Sequence, residues 1–317
     1  MKLARKELDA AVALVHSVMP PTPQLSWPLL NQRAACEAWV KHENHTATGA
    51  FKIRGGIVMI DALKRARPKL AGVVSATRGN HGQSLAWSGR RHGVRTVIVV
   101  PHGNSRDMNA AMRAWGAELI EHGRDFDEAK EHAAKLAREQ GLESIGPFHP
   151  ELVAGVGSYA FELLSAVADL DAVYVPIGCG SGISGLIAWR DTLGLKTKII
   201  GVVSANADCY ARSFDAGKPV ETASADTFAD GMAVRVPVPA ALDIIRAGAE
   251  RIIRVTDDEV KAAVRHFYTD THNLIEGAGA APLAALLKDG EKKGNRFALI
   301  ASGGNIDREA YIAALAS

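Results

Sequence analysis

The 317 residues hold little cysteine, no long apolar run and no excess of charge of either sign. The three cysteines, Cys36, Cys179 and Cys209, lie far apart and form no CxxC pair. An odd, sparse set argues against a disulfide framework and fits a reducing compartment, here read as the cytoplasm. No apolar stretch approaches the roughly 20 residues of a membrane span. Lys2, Arg5 and Lys6 precede an apolar stretch at 10–15, but Glu7 and Asp9 interrupt the pattern and no clean cleavage site follows. This reads as a helix, with a signal peptide as the alternative. Basic residues number 37 against 35 acidic ones, a net charge of +2. Such a balance gives no reason to expect nucleic acid or an anionic membrane as partner. Fixed-period repeats, low-complexity segments and long linkers are missing too. The remainder is 47% apolar, enough for a sizeable core, and the length suits roughly two domains.

The apolar pattern sets the elements. A helix is expected over about 4–18, stopped by Pro20-Pro21. Residues 34–41 have strand character, and a helix runs from near Lys52 to about 66. Short apolar runs at 72–75, 95–101 and 117–120 read as buried strands. Between them fall helices to about 91 and over 106–115. Helix 125–140 sets charged residues against a face of Ala, Phe126 and Leu136. Helix 157–169 precedes strand 172–177, a helix after Gly182, strand 198–203 and helix 207–216. Beyond a Gly/Pro-punctuated stretch come strand 251–255, helices 257–270 and 280–287, strand 296–300 and helix 307–315. This alternation implies an α/β protein with mainly parallel sheets, its two lobes interwoven. The unusual clusters sit at strand ends, where open α/β sheets bind ligands.

The run Thr48-Gly49-Ala50-Phe51-Lys52-Ile53-Arg54-Gly55-Gly56 places one lysine among small residues and an aromatic ring. No acid follows Lys52 within four positions, and the nearest before it is Glu43. A lysine in a tight apolar site loses its proton more readily and becomes a nucleophile. The glycines let other backbone or a flat ligand come close. A surface lysine at a helix start is the plain alternative.

Three turns follow buried strands. Gly178-Cys179-Gly180-Ser181-Gly182 offers consecutive N–H groups and a helix N-terminus, which together suit a phosphate. Residues 180–185 also spell GxGxxG, but the next strand lacks the acid a dinucleotide's ribose needs. A tight turn shaped only by glycine geometry is the other alternative. Thr77-Arg78-Gly79-Asn80-His81-Gly82-Gln83 presents groups suited to a carboxylate and a ring oxygen, although a lone histidine such as His81 more often has a structural role. His81 has no ligand spacing to another His or Cys, so no metal site is expected there. Ser302, in Ser302-Gly303-Gly304-Asn305, offers a hydroxyl at a pocket floor or serves as a turn residue. A nucleophilic lysine, a phosphate cradle, a carboxylate loop and a ring-nitrogen partner are together what pyridoxal 5'-phosphate requires.

Taken with Lys41-His42-Glu43-Asn44, Val175-Pro176-Ile177, Ala229-Asp230-Gly231 and Glu276-Gly277-Ala278-Gly279-Ala280, these motifs resemble the fold-type II pyridoxal-phosphate enzymes. Within them the likeness is to the threonine/serine dehydratase and serine racemase branch. The resemblance implies a tryptophan synthase β-like fold, with a large cofactor domain of 1–71 and 150–317 and a small domain of 72–149. It implies that Lys52 links to the cofactor's aldehyde and moves the substrate's α-proton. Phe51 would pack on the ring and Asn80 bond its phenolic oxygen. Gly178, Cys179, Gly180, Ser181 and Gly182 would hold the phosphate, and Ser302 would face the pyridine nitrogen. Thr77, Gly79 and His81 would help hold the α-carboxylate. A homodimer is also implied.

A neutral hydroxyl at the ring nitrogen makes a weaker electron sink, which suits prompt β-elimination over transamination. The expected activity is therefore loss of water from a β-hydroxy amino acid, giving a 2-oxo acid and ammonia. Threonine and serine are the default substrates, with 3-hydroxyaspartate or a phenylserine open. A racemase or β-replacement synthase on the same scaffold is the alternative. A non-catalytic binding protein and a nicotinamide dehydrogenase are alternatives from other classes.

Four departures qualify the resemblance. Arg78 stands where the family carries Ser or Ala, and a serine there is the racemases' second acid/base. Arg78 would instead pair with a second substrate carboxylate, or turn to an acidic neighbour. Cys179 and Ser181 replace glycines in the cradle. Asp208 remains from a divalent-cation site of some relatives, without its glutamate, so no metal is expected. The chain closes one helix after Ser302, so allosteric control by isoleucine is not expected.

Overall fold

A computed structural model describes residues 3–317; Lys2 of the basic N-terminus lies outside them. The chain opens with α1 (Arg5–His16), β1 (Gln24–Ser26), α2 (Pro28–Ala34) and β2 (Glu37–His42). A central segment follows with α3 (Lys52–Ala66), β3 (Val73–Ala76), α4 (Asn80–His92), β4 (Thr96–Val100), α5 (Arg106–Ala114), β5 (Glu118–Glu121), α6 (Phe126–Gln140) and β6 (Glu143–Ser144). The remainder runs through α7 (Pro150–Val156), α8 (Ser158–Ala166), β7 (Ala172–Pro176), α9 (Ser181–Thr192), β8 (Lys198–Ser204), α10 (Cys209–Ala216) and α11 (Pro239–Gly248). It closes with β9 (Arg251–Val255), α12 (Asp257–Thr271), α13 (Gly277–Lys288), β10 (Arg296–Ala301) and α14 (Arg308–Ala316).

Two sheets result. The larger has the order β1-β2-β10-β7-β8-β9 and the smaller β5-β4-β3-β6. Among the strands of the described residues only β1 runs antiparallel, paired to β2 at the edge. The five residues of β4 are all buried, as a parallel strand covered on both faces requires. Alternation sorts the larger sheet's side chains. Val173 and Val175 of β7 pack into one core with α1, α8 and α9. Tyr174 between them enters the other, with α12 and α13. Helix α3 stands between the two sheets: Ile53 and Ile57 join the large core, Met59 and Ile60 the small one.

Two glycines of the lysine motif let backbones close on α3. A Cβ on Gly55 would lie 2.9 Å from the Leu152 carbonyl of α7, and one on Gly56 2.8 Å from the Ser84 carbonyl of α4. Helix–helix approach, then, is what those positions require.

The alternating α/β plan stands as expected, with local differences. Residues 34–41 do not form one strand; α2 ends at Ala34, Ala35 is left-handed at φ 50°, and β2 begins at Glu37. The helix expected at 157–169 is preceded by α7 and joined to it at Gly157. Helices α2 and α11 lay unread. All three unread helices, α2, α7 and α11, begin with proline at the first turn. There its missing N–H costs nothing and its fixed φ favours the helix. On α6 the buried face is Ala129, Ala133 and Leu136, whereas Phe126 at the helix start is exposed.

Candidate active site

The three turns and Lys52 meet where the carboxyl ends of β3, β7 and β10 approach one another. Lys52 is the first residue of α3, after Phe51. The Phe51 N–H donates to the Ser302 carbonyl at 3.0 Å, and Ala50 bridges to Gly303. These bonds fasten the start of α3 to the end of β10. Ser302 itself is buried at that junction.

The Lys52 Nζ donates to Ser181 Oγ at 2.9 Å and lies 5.1 Å from the Phe51 ring centroid. Loss of solvent pulls this amine below its usual proton affinity, and the Cys179 thiol beside it opposes that. Burial in turn raises Cys179 above the ordinary thiol range. The cradle is a left-handed turn: Gly180 has φ 91°, and a Cβ there would sit 2.6 Å from that of Ala241. Gly182 abuts the Phe51 ring, and its carbonyl accepts the Tyr159 hydroxyl at 2.9 Å. The Cys179 carbonyl accepts Tyr210 at 3.2 Å. Among the described residues, none of the N–H groups from Gly178 to Gly182 donates to a backbone carbonyl.

The second turn opens α4 from Gly79. Thr77 is buried, and the Gly79 N–H reaches its Oγ1 at 3.4 Å. The Asn80 Nδ2 donates to both oxygens of Glu276, at 3.0 and 3.1 Å. Its Oδ1 accepts Asn305 Nδ2 at 2.7 Å. His81 is buried, with Nε2 unpartnered. Burial, then the charge of Lys52, push its pKa down to about 3 against a bond to the Ile145 backbone, so the imidazole is neutral. Arg78 is half exposed and faces Asp230, with Nη1 3.8 Å from Oδ1.

Sequence reasoning gave no role to Glu276, Asn305 or the charges beneath Lys52. Glu276 caps α13 and is buried, and burial pushes its carboxyl up to about 7 against the bonds from Asn80 and the Asn305 N–H. An acid directly before an apolar helix was the signal available. Arg54, two residues past Lys52, is fully buried between Glu43 and Glu162. Its Nε reaches Glu43 at 2.7 Å and its Nη1 Glu162 at 2.6 Å, while Lys41 Nζ reaches Glu162 at 2.5 Å. The signal was a guanidinium inside the apolar run 53–60. Asp208 is engaged elsewhere, accepting from Arg212 at 2.7 Å and Arg254 at 3.0 Å. Among the described residues no cluster of three His, Cys, Asp or Glu side chains is placed for a metal.

The site suits pyridoxal phosphate on this chemistry. It has N–H groups free to take a phosphate, a desolvated amine at their edge and an aromatic face beside it. Comparisons agree. Residues 16–303 match the pyridoxal-phosphate dependent enzymes. The chain is 34% identical over 297 residues to the biosynthetic L-threonine dehydratase IlvA of Haemophilus influenzae, covering 92% of this chain and 58% of that protein. It therefore spans little more than half of that relative. To the L-threonine ammonia-lyase of Thermotoga maritima it is 32% identical, covering 95% of this chain and 75% of that protein. Among solved structures, the processed form of threonine deaminase isoform 2 from Solanum lycopersicum aligns with a TM-score of 0.90 at 29% identity, over 99% of this chain and 94% of that one. Maize serine racemase aligns at 0.93 and 25% identity, over 100% and 98%.

Proposed function

We propose that this chain, which belongs to the pyridoxal-phosphate dependent enzyme family, is an ammonia-lyase that removes water from a β-hydroxy amino acid. Threonine and serine are the first substrates to consider, since the dehydratase relatives carry threonine in their names. One observation carries the reading: a desolvated Lys52 amine 2.9 Å from Ser181, on a cradle of free N–H groups.

Bound there, pyridoxal phosphate supplies an electron sink for the pair left when the α-proton departs. Lys52 holds the cofactor until substrate arrives, and its amine then takes that α-proton. Desolvation favours the neutral amine this step needs. Gly178, Cys179, Gly180, Ser181 and Gly182 would anchor the phosphate, and Phe51 would pack against the ring. Asn80, held by Glu276 and Asn305, would be the donor for the phenolic oxygen. Ser302 would face the ring nitrogen with a hydroxyl that enforces no ring proton. Thr77, Gly79 and His81 receive the α-carboxylate, and a neutral His81 adds no charge of its own. The β-hydroxyl leaves as water with the proton that the Lys52 amine has taken, and the released enamine takes up one water and breaks down to a 2-oxo acid and ammonia.

A racemase is the second reading, favoured by the maize serine racemase alignment. Arg78 counts against it, because a guanidinium is a poor acid/base where a hydroxyl is needed. We take 72–149 as the small domain; all four strands of the smaller sheet fall in it. A cytoplasmic homodimer is proposed from the free cysteines and the family likeness. No helix among the described residues is long and apolar enough to cross a membrane.

The test is a 2-oxo acid and ammonia assay on the holoenzyme with both serine enantiomers, the threonine diastereomers, 3-hydroxyaspartate and phenylserine. Oxo acid from any of them supports elimination. Racemisation without oxo acid refutes it.

A further inference from the structure

We infer that Arg78 selects substrates that carry a second carboxylate on the β-carbon, and that Asp230 holds its guanidinium at the cleft until such a substrate displaces it. The inference takes the reaction from the ammonia-lyase reading and adds the substrate class. Arg78 belongs to the loop joining β3 to α4, one residue after Thr77 and two before Asn80. Its carbonyl accepts Asn104 Nδ2 at 3.1 Å, which fixes the backbone at that point.

The guanidinium is only loosely engaged. A paired arginine and carboxylate stand at about 2.7–2.9 Å. Here Nη1 and Oδ1 are 3.8 Å apart, with the two side chains 52% and 62% exposed. Its donors therefore remain free for a closer partner, and an exposed pair of this length contributes little to stability.

Its position ties it to the site. Asp230 opens the turn Asp230–Met232, and a Cβ on Gly178 of the cradle would run into the Gly231 carbonyl of that turn. A Cβ on Gly231 would in turn lie 3.6 Å from Oε1 of Glu276, the carboxylate that holds Asn80. Arg78 and Asp230 thus meet across the gap between the substrate loop and the cradle. An amino acid with its amine at Lys52 and its carboxylate on the 77–81 loop keeps its β-substituent near a side chain rooted in that loop. Threonine presents a methyl group there. A 3-hydroxyaspartate presents a carboxylate, which matches the two parallel N–H groups of arginine.

The experiment separates recognition from chemistry. L-Aspartate and L-alanine, which lack a β-hydroxyl leaving group, are titrated into the holoenzyme and binding is followed by the cofactor's absorbance. Elimination from 3-hydroxyaspartate and threonine is measured alongside. In Arg78→Ala the aspartate-to-alanine affinity ratio falls about tenfold or more, as expected for loss of a charge-assisted contact. Arg78→Lys restores part of it, and Asp230→Asn tightens aspartate by removing the competing carboxylate. Equal losses for both ligands in Arg78→Ala overturn the inference. Tighter binding of O-phospho-L-serine than of L-aspartate overturns the carboxylate assignment, and unchanged aspartate affinity in Asp230→Asn overturns the competitor's role. A fall of about tenfold in the aspartate-to-alanine ratio in Arg78→Ala, with no oxo acid from any substrate, sinks the lyase reading and leaves Arg78 standing. Oxo acid with an unchanged ratio does the reverse.

Discussion

Glu276→Gln tests the buried carboxylate at the site's edge. Glu276 is buried, accepts from Asn80 and from the Asn305 N–H, and lies near the negative Asp230. Burial raises its carboxyl from 4.5 to about 7. The native state therefore keeps a proton there that the unfolded chain has already released. Between those values the native state binds more protons, so stability falls as pH rises. The contribution is fully present below pH 4.5 and lost on passing through about pH 7. At about 1.4 kcal/mol per tenfold change in proton affinity, that gap is worth about 3 kcal/mol. Glutamine has the same shape and no proton to lose. It also turns an NH₂ toward neighbouring donors, a pH-independent loss of about 1–3 kcal/mol. The slope carries the test and the offset does not. Urea unfolding of both proteins from pH 4.5 to about 8 should show the wild-type advantage shrinking by about 3 kcal/mol. A difference that stays flat across that window refutes burial as the dominant influence on Glu276.

Lys52→Ala should reduce turnover below detection while the circular dichroism spectrum keeps its shape; normal turnover would end the mechanism. Arg54→Met removes the guanidinium between Glu43 and Glu162 and leaves Lys41 to face two buried carboxylates. Unfolding should show a loss of about 3–5 kcal/mol, much of a total near 5–15, and a loss under about 1 kcal/mol would contradict that burial. Gly180→Ala forces a side chain to φ 91° and against Ala241, so cofactor should wash out faster on dialysis, with about 1–3 kcal/mol of strain. Retention equal to wild type would argue that the phosphate lies elsewhere.

Much of the fold was legible because its signals are local. The run at 95–101 is apolar without alternation, and β4 is buried on both faces. The glycine turn after β7 reads as a cradle because N–H geometry depends on neighbours in sequence. The unread helices α2, α7 and α11 share one cause: Pro28, Pro150 and Pro239 start a helix, where a proline more readily reads as a break. Phe126 was assigned inward from its apolarity alone, yet it occupies an exposed first turn.

The sequence by itself determined the alternation of strands and helices, the turns at their ends, and the residue types that offer a nucleophile and an anion cradle. These follow from hydrophobic period and backbone permissiveness, both of which act over a few residues. Tertiary structure decided which of those groups meet. Lys52 finds Ser181 across 129 residues, and Asn80 finds Glu276 across 196. It also decided what the buried charges do. Arg54 is tolerable because Glu43 and, from 108 residues away, Glu162 arrive beside it, and burial lifts the Glu276 carboxyl to about 7. Desolvation and long-range pairing are properties of the closed shape, and no local pattern encodes them.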